Sequence, residues 1–359
     1  MKDLELIGET LSKIEPLEEQ WLISSKIRLD SLTKPLGSLG RLEDLAQKIC
    51  TIKRTIKPLL THKVIFTLAA DHGITQEGVS AYPSEVTPQM VFNFLRGGAG
   101  INVLARMVNA RVIVVDMGVA ADMPLTEGLV NLKVRKGTSN FAQGPAMSRD
   151  EAVSVIAKGI VLLEKELRNG LDIVGTGDMG IGNTTSSSAI TAVMTGKPIA
   201  EVTGQGTGIE AQALSRKVSV IEKALALHQP DPADPIGVLS KVGGFEIAGL
   251  AGIILGAAKN KIPVMLDGFI SGAAALIAAG LAPRVKDYLI AAHRSAEPGH
   301  DAILKHLGLS PLLDLKMRLG EGTGAALGMS LAEAASKIMN EMATFEEARV
   351  SGKKEPAVK

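Results

Sequence analysis

Leu171-Asp172-Ile173-Val174, running into Gly175-Thr176-Gly177-Asp178-Met179-Gly180-Ile181-Gly182-Asn183-Thr184-Thr185-Ser186-Ser187-Ser188, is the stretch that decides the fold class. The apolar run predicts a buried strand, and the residues after it a glycine-rich, hydroxyl-rich loop opening a helix. Glycines at 175, 177, 180 and 182 allow tight turning and close approach to a ligand, while Asn183, Thr184, Thr185 and Ser186 supply donors at a helix start whose dipole favours an anion. The expected guest is a phosphate. A strand-to-helix turn with no ligand would use the same glycines, but it does not call for so many hydroxyls. Two echoes, Thr203-Gly204-Gln205-Gly206-Thr207-Gly208 and Gly320-Glu321-Gly322-Thr323-Gly324, suggest several loops converging on one pocket, the second carrying a carboxylate. The chemistry implied is on a phosphorylated small molecule.

Working outward, Val64 to Ala70, Val112 to Met117, Pro263 to Leu266 and Tyr288 to Ala292 are further short apolar runs, separated by helical segments. That alternation marks an α/β fold with a parallel sheet buried on both faces. The residues after the runs, Asp71-His72-Gly73, Asp116, Gly175 to Asp178, Asp267-Gly268 and His293-Arg294, are expected to gather at the carboxyl edge of the sheet, where such folds bind ligands. Residues 1–61 read as amphipathic helices broken at Pro16 and at Thr33 to Gly40, forming part of a small helical lobe. Residues 62–300 read as the large α/β domain, 301–350 as a helical segment completing the small lobe and the active site, and 351–359 as a disordered tail.

Composition excludes whole classes of function. Lys and Arg total 39 against 38 Asp and Glu, so no global field recruits nucleic acid or an anionic membrane, and 3% aromatic content removes the stacking platforms of single-strand binders. The single Cys50 forbids an internal disulfide and fits a reducing compartment. The acidic N-terminus lacks the features of a signal peptide, and Ile247 to Ala258 and Phe269 to Pro283 fall short of the ~20 residues that span a bilayer, so a cytoplasmic protein is expected.

The individual candidates carry competing readings. His72 beside Asp71 and Glu77 matches no common metal-ligand spacing and reads as a hydrogen-bonded structural residue; no metal and no cofactor is expected. Ser80, Tyr82 and Gln89 are candidates for lining a pocket. Glu321, between two glycines, either caps the following helix or projects into a site, where burial would raise its pKa toward that of a useful base. Lys217 and Arg318 read from pattern alone as solvated helix charges. The chain lacks a Walker lysine and a dinucleotide fingerprint, which disfavours a nicotinamide-dependent oxidoreductase.

Six motifs, taken in order, resemble the nicotinate-nucleotide:dimethylbenzimidazole phosphoribosyltransferases: Lys34-Pro35-Leu36-Gly37-Ser38-Leu39-Gly40-Arg41-Leu42-Glu43, Ala70-Asp71-His72-Gly73-Ile74, Glu77-Gly78-Val79-Ser80-Ala81-Tyr82-Pro83, Met179 to Thr185, Thr203 to Gly208 and Leu319 to Gly324. The resemblance implies a Rossmann-like domain with a small helical lobe built from both chain ends, a homodimer, and transfer of phosphoribose from nicotinate mononucleotide to 5,6-dimethylbenzimidazole or a related aromatic base. It implies Glu321 as catalytic base, Ser80, Tyr82, Gln89, Asp178 and Leu319 as the acceptor pocket, and Gly180, Gly182, Asn183, Thr184, Thr185, Ser186, Gly204, Gly206 and Gly208 as the phosphate cradle. Lys217 and Arg318 resemble family cations that can approach from a partner subunit. Many relatives carry Glu at the position of Asp178, and the shorter side chain withdraws the carboxylate by roughly 1.5 Å. The alternatives are a subunit of a heterodimeric enzyme that activates phenol or p-cresol, and a nucleotide-binding partner without activity of its own.

Overall fold

In the computed structural model, which describes residues 1–124 and 126–351, each apolar run becomes a strand. The strands are β1 (Lys63–Ala70), β2 (Ala110–Gly118), β3 (Leu129–Asn131), β4 (Ile173–Met179), β5 (Val264–Leu266) and β6 (Leu289–Ala291). They make one sheet in the order β3-β2-β1-β4-β5-β6, with every neighbouring pair parallel. Val64, Ile65, Phe66 and Leu68 of β1 are wholly buried, as a central strand covered on both faces requires. The order reverses between β1 and β4, whose register pairs Lys63 with Ile173 and Ala69 with Met179. A crevice therefore opens beyond the carboxyl ends of these two strands, the place where doubly wound sheets hold ligands.

The helices are α1 (Lys2–Ser12), α2 (Glu19–Ser31), α3 (Arg41–Lys53), α4 (Val86–Leu95), α5 (Gly100–Met107), α6 (Arg149–Leu167), α7 (Asn183–Thr195), α8 (Ile199–Val202), α9 (Ala211–His228), α10 (Pro235–Val242), α11 (Phe245–Lys259), α12 (Phe269–Leu281), α13 (Gly299–Leu307) and α14 (Thr323–Glu341). Helix α6 starts on a capping box in which Ser148 accepts from Glu151 N and the Glu151 carboxylate accepts from Ser148 N. It packs on α11 where glycines face each other: a Cβ at Gly159 would overlap the Gly249 carbonyl, and one at Gly252 the Ile156 carbonyl. The apolar stretches Ile247 to Ala258 and Phe269 to Pro283 are thus buried helices, and among the described residues no helix is long and apolar enough to cross a membrane.

Two readings of the sequence change. Gly175 and Gly177 lie inside β4 and not in the loop after it, and β3, with three residues, had no apolar run to announce it. The strand needs these glycines because another segment lies against its face: a Cβ on Gly177 would overlap the Glu321 carbonyl.

The chain divides into two compact units, Met1–Glu15 with His62–Met329, and Pro16–Thr61 with the residues from Ser330. By this division α1 and residues 301–329 belong to the larger unit. In the smaller one, Arg28 donates to the carbonyls of Met339 and Met342, and Leu32 bridges to Thr344. The Lys34-to-Glu43 motif closes on itself through a buried ion pair, Lys34 Nζ to Glu43 Oε1 at 2.9 Å, while Glu43 also accepts from Leu39 N. Cys50 is buried and its thiol is pushed up to about 12, which makes it a core residue with little thiolate. Residues 352–359, read from sequence as part of a disordered tail, lie outside the described residues.

Candidate active site

The crevice beyond β1 and β4 is a cavity of about 730 Å³ in the larger unit. Its floor comes from the strand ends and their loops: Asp178 and Met179 at the end of β4, Gly180, Ile181, Asn183 and Thr184 leading into α7, and Asp267 at the end of β5. Helix α4 contributes Val86 and Met90, spaced one helical turn apart and apolar. Gly320 and Glu321 line the cavity beside Asp178.

Glu321 is held by its main chain in a left-handed conformation, φ 64°, and its position follows from three hydrogen bonds. Its N–H donates to the Asp178 carbonyl at 3.2 Å, and its carbonyl accepts from Thr67 Oγ1 at 2.9 Å. Its Oε2 accepts from Ile101 N, at the start of α5, at 3.0 Å. Asp267 then clamps the turn that follows, accepting from Gly324 N at 2.6 Å, Ala325 N at 3.2 Å and Gly322 N at 3.3 Å. Asp267 is therefore the cap of α14, and of the two roles open to Glu321 in the sequence, the structure assigns the side chain to the cavity wall.

Three carboxyl groups share this end of the cavity, and their electrostatics separate them. Asp178 is raised well above its ordinary value by burial, with the charges of Asp267, Glu246 and Glu321 adding to the effect. Asp267 is pushed up to about 7, chiefly by burial and despite the three amides it accepts from. Glu321 is raised by burial alone, and the Ile101 amide opposes the rise. No neighbouring carboxylate adds to its rise, whereas Asp178 carries the charges of three other carboxyl groups on top of its burial.

A second group of the sequence candidates stands on α7 and α9. Gly182, at φ 97°, precedes α7, and no side chain caps that helix start. Lys217, on α9, is wholly buried, and its Nζ donates to Thr184 Oγ1 at 2.8 Å and to the Gly204 carbonyl at 3.3 Å. Burial lowers it to about 8, opposed by the charge of Glu297. The reading of Lys217 as a solvated helix charge is thus overturned: its ammonium is delivered to the loop by its own chain. Arg318 is exposed at the rim and donates to the Gly206 carbonyl at 2.7 Å.

Of the residues singled out from sequence, Tyr82, Asp178, Gly180, Asn183 and Thr184 line the cavity, as do Gly206, Arg318, Leu319 and Glu321. Asn183 Nδ2 donates to Asp178 Oδ2 at 2.9 Å and fixes that carboxyl. Ser80, Gly182, Thr185, Ser186, Gly204, Gly208 and Lys217 stand outside the lining. Ser80 lies 3.4 Å from Thr207 Oγ1 and steadies the loop that carries Tyr82. The Ser186 hydroxyl is 3.0 Å from His72 Nδ1, and His72 Nε2 is 2.7 Å from Glu246 Oε1, all buried. His72 is thus a structural histidine, and no cluster of metal-ligating side chains occurs among the described residues. Gln89 is exposed on α4, beside Met90 and off the wall.

Sequence reasoning missed Glu297, Ser295 and Phe269, and placed Asp267 and His293 only at the sheet edge. Asp267 and His293 had a usable signal, a polar residue directly after a short apolar run. Glu297 has none, since it follows β6 at a distance and enters the site through the turn before α13.

A phosphoribosyltransferase family model matches residues 14–350. The nicotinate-nucleotide-dimethylbenzimidazole phosphoribosyltransferase of Desulforudis audaxviator is 58% identical over 97% of this chain and 99% of its own. The enzyme of the same name from Geobacter sulfurreducens is 58% identical over 96% and 98%. The crystal structure of a third, from Thermus thermophilus, superposes with a TM-score of 0.89 at 44% identity, covering 94% of this chain and 100% of that one.

Proposed function

Because this chain belongs to the phosphoribosyltransferase family, we propose that it transfers phosphoribose from nicotinate mononucleotide to 5,6-dimethylbenzimidazole, giving α-ribazole 5′-phosphate and nicotinate. The observation that carries the reading is the buried Glu321 carboxylate on the cavity wall, raised from its ordinary value by burial. A ring nitrogen of the acceptor attacks C1′ of the ribose from the face opposite nicotinate. The bond from C1′ to the pyridinium nitrogen breaks, and its electron pair stays on nicotinate, whose nitrogen becomes neutral. That leaving group needs no proton, so a single base suffices. The proton released is the acceptor's N–H, and Glu321 takes it.

Tyr82, Val86, Met90 and Leu319 supply an apolar slot for a flat ring, with the Asp178 carboxyl as the polar group that orients it. Thr184, the α7 start, Lys217 and Arg318 supply the anion site, and anchoring a phosphate there orients the reacting carbon. The heterodimeric phenol-activating alternative draws no support from these relatives, whose name specifies dimethylbenzimidazole. A homodimer accords with the resemblance, and the mass of the native complex tests it.

The experiment is to incubate the purified chain with nicotinate mononucleotide and, separately, dimethylbenzimidazole, adenine, phenol and p-cresol, following nicotinate release and product mass. Release that is fastest with dimethylbenzimidazole is expected; release only with phenols would overturn the acceptor assignment, and none with any acceptor the reaction itself.

A further inference from the structure

Helix α4 turns different faces to the cavity and to the protein. Val86 and Met90, one turn apart, line the cavity, whereas Thr87, turned about 100° from Val86 around the helix, is wholly buried. Its Oγ1 accepts from Ile181 N at 3.2 Å. Ile181 stands in the loop between β4 and α7 with a glycine on each side, and it is buried at the cavity wall. Both glycines are needed for close packing: a Cβ on Gly180 would overlap the Ala70 carbonyl, and one on Gly182, at φ 97°, would overlap Thr75 Cγ2. Glycines that permit such an approach also leave the backbone a wide conformational range, so the loop takes its place from whatever grips it between them. A buried amide without an acceptor is costly, and here the acceptor comes from α4 and not from the loop itself.

By the function proposed above, the helix carries one reactant and the loop the other: the aromatic acceptor lies against Val86 and Met90, and the nucleotide lies against the start of α7. Attack on C1′ needs the acceptor nitrogen about 3–3.5 Å from that carbon and in line with the departing base. We propose that Thr87 is a positioning residue that sets this spacing, its hydroxyl tying the helix beneath the acceptor to the loop beneath the nucleotide. The proposal rests on that reading of the site. Thr87 touches neither ligand in this role and acts through Ile181 on one side and through its own helix on the other. Removing the tie leaves each ligand's own contacts in place and alters only where the two lie relative to each other. The cost therefore falls on turnover and not on either affinity.

The test compares the wild type with Thr87→Val, which keeps the shape and removes the hydroxyl, and with Thr87→Ser, which keeps the hydroxyl and removes the methyl. In Thr87→Val, kcat with dimethylbenzimidazole should fall roughly 10–100-fold, the scale of a misplacement of about 1 Å, while calorimetric affinities for nicotinate mononucleotide and for dimethylbenzimidazole, each measured alone, stay within about threefold. Thr87→Ser should recover kcat to within about threefold of the wild type. An unchanged kcat in folded Thr87→Val, a loss of affinity as large as the loss of kcat, or a Thr87→Ser as slow as Thr87→Val overturns the proposal. Where Thr87→Val does not fold, Thr87→Ala carries the same expectations. Hydrogen exchange across residues 179–184 without ligand reads the tie apart from turnover: one amide that is slow in the wild type and in Thr87→Ser should be fast in Thr87→Val. Equal exchange in all three overturns the tie. Failure of the wild type to release nicotinate, with that exchange pattern intact, overturns the reaction and leaves the tie standing.

Discussion

Two loops of this molecule look alike on paper, Gly180 to Ser186 and Thr203 to Gly208, and they are unlike in space. The first ends β4 and starts α7 with no side-chain cap, beside the buried ammonium of Lys217. The second has its central amide, Gly206 N, already taken by Glu297. Glycine and threonine content therefore reports that a backbone can approach something, and does not say what. The neighbouring side chains differ: the Lys217 ammonium bridges Thr184 of the first loop and the Gly204 carbonyl of the second, while the Glu297 carboxylate takes the Gly206 amide.

The largest effect tests Glu321, which belongs to neither loop. Glu321→Gln should lower kcat by ~10²–10⁴ while nucleotide binding by calorimetry is unchanged; an equal loss of binding would make Glu321 part of the nucleotide seat and blur the division of labour. Lys217→Ala should weaken nicotinate mononucleotide by roughly 10–100-fold and leave the riboside, which lacks the phosphate, almost unaffected. Equal weakening of both ligands would show that the first loop does not read phosphate. The pH profile sharpens the same point. Burial raises Glu321 above 4.5, so the base is freed of its proton, and activity gained, only above the usual carboxylate range. Lys217 at about 8 loses its charge as pH rises, so phosphate binding in the free protein falls through that region. The profile of kcat/KM is expected to be a bell, with the alkaline limb missing in Lys217→Ala. The smallest effect is a shift in preference: Asp178→Glu should change the ratio of rates with dimethylbenzimidazole and adenine by a few-fold, reading a side chain lengthened by roughly 1.5 Å. An identical response of every acceptor would remove Asp178 from the acceptor wall.

The fold was largely legible because burial on both faces of a parallel sheet leaves an apolar run for each long strand, as in Val64 to Ala70. Strand β3 escaped because three half-exposed residues carry no such mark. Within the site, Asp178, Thr184 and Glu321 were visible as polar residues among glycines. Glu297 was not, since its role depends on a loop some ninety positions away in sequence folding against it. Gln89 illustrates the opposite case: on α4 the helical turn selects Val86 and Met90 for the wall and leaves their polar neighbour outside. Lys217 looked like any lysine on an amphipathic helix, and only packing shows that its ammonium is the end of a buried stem.

The Asp267 clamp and the close approach at Gly177 mount the Glu321 backbone on the sheet, while its Oε2 is tied to the start of α5 by Ile101 N. Val86 and Met90 belong to α4, a separate element, so larger or smaller side chains there leave both anchors of the carboxylate untouched. The width of the cavity and the placing of the carboxylate are thus set by different parts of the chain.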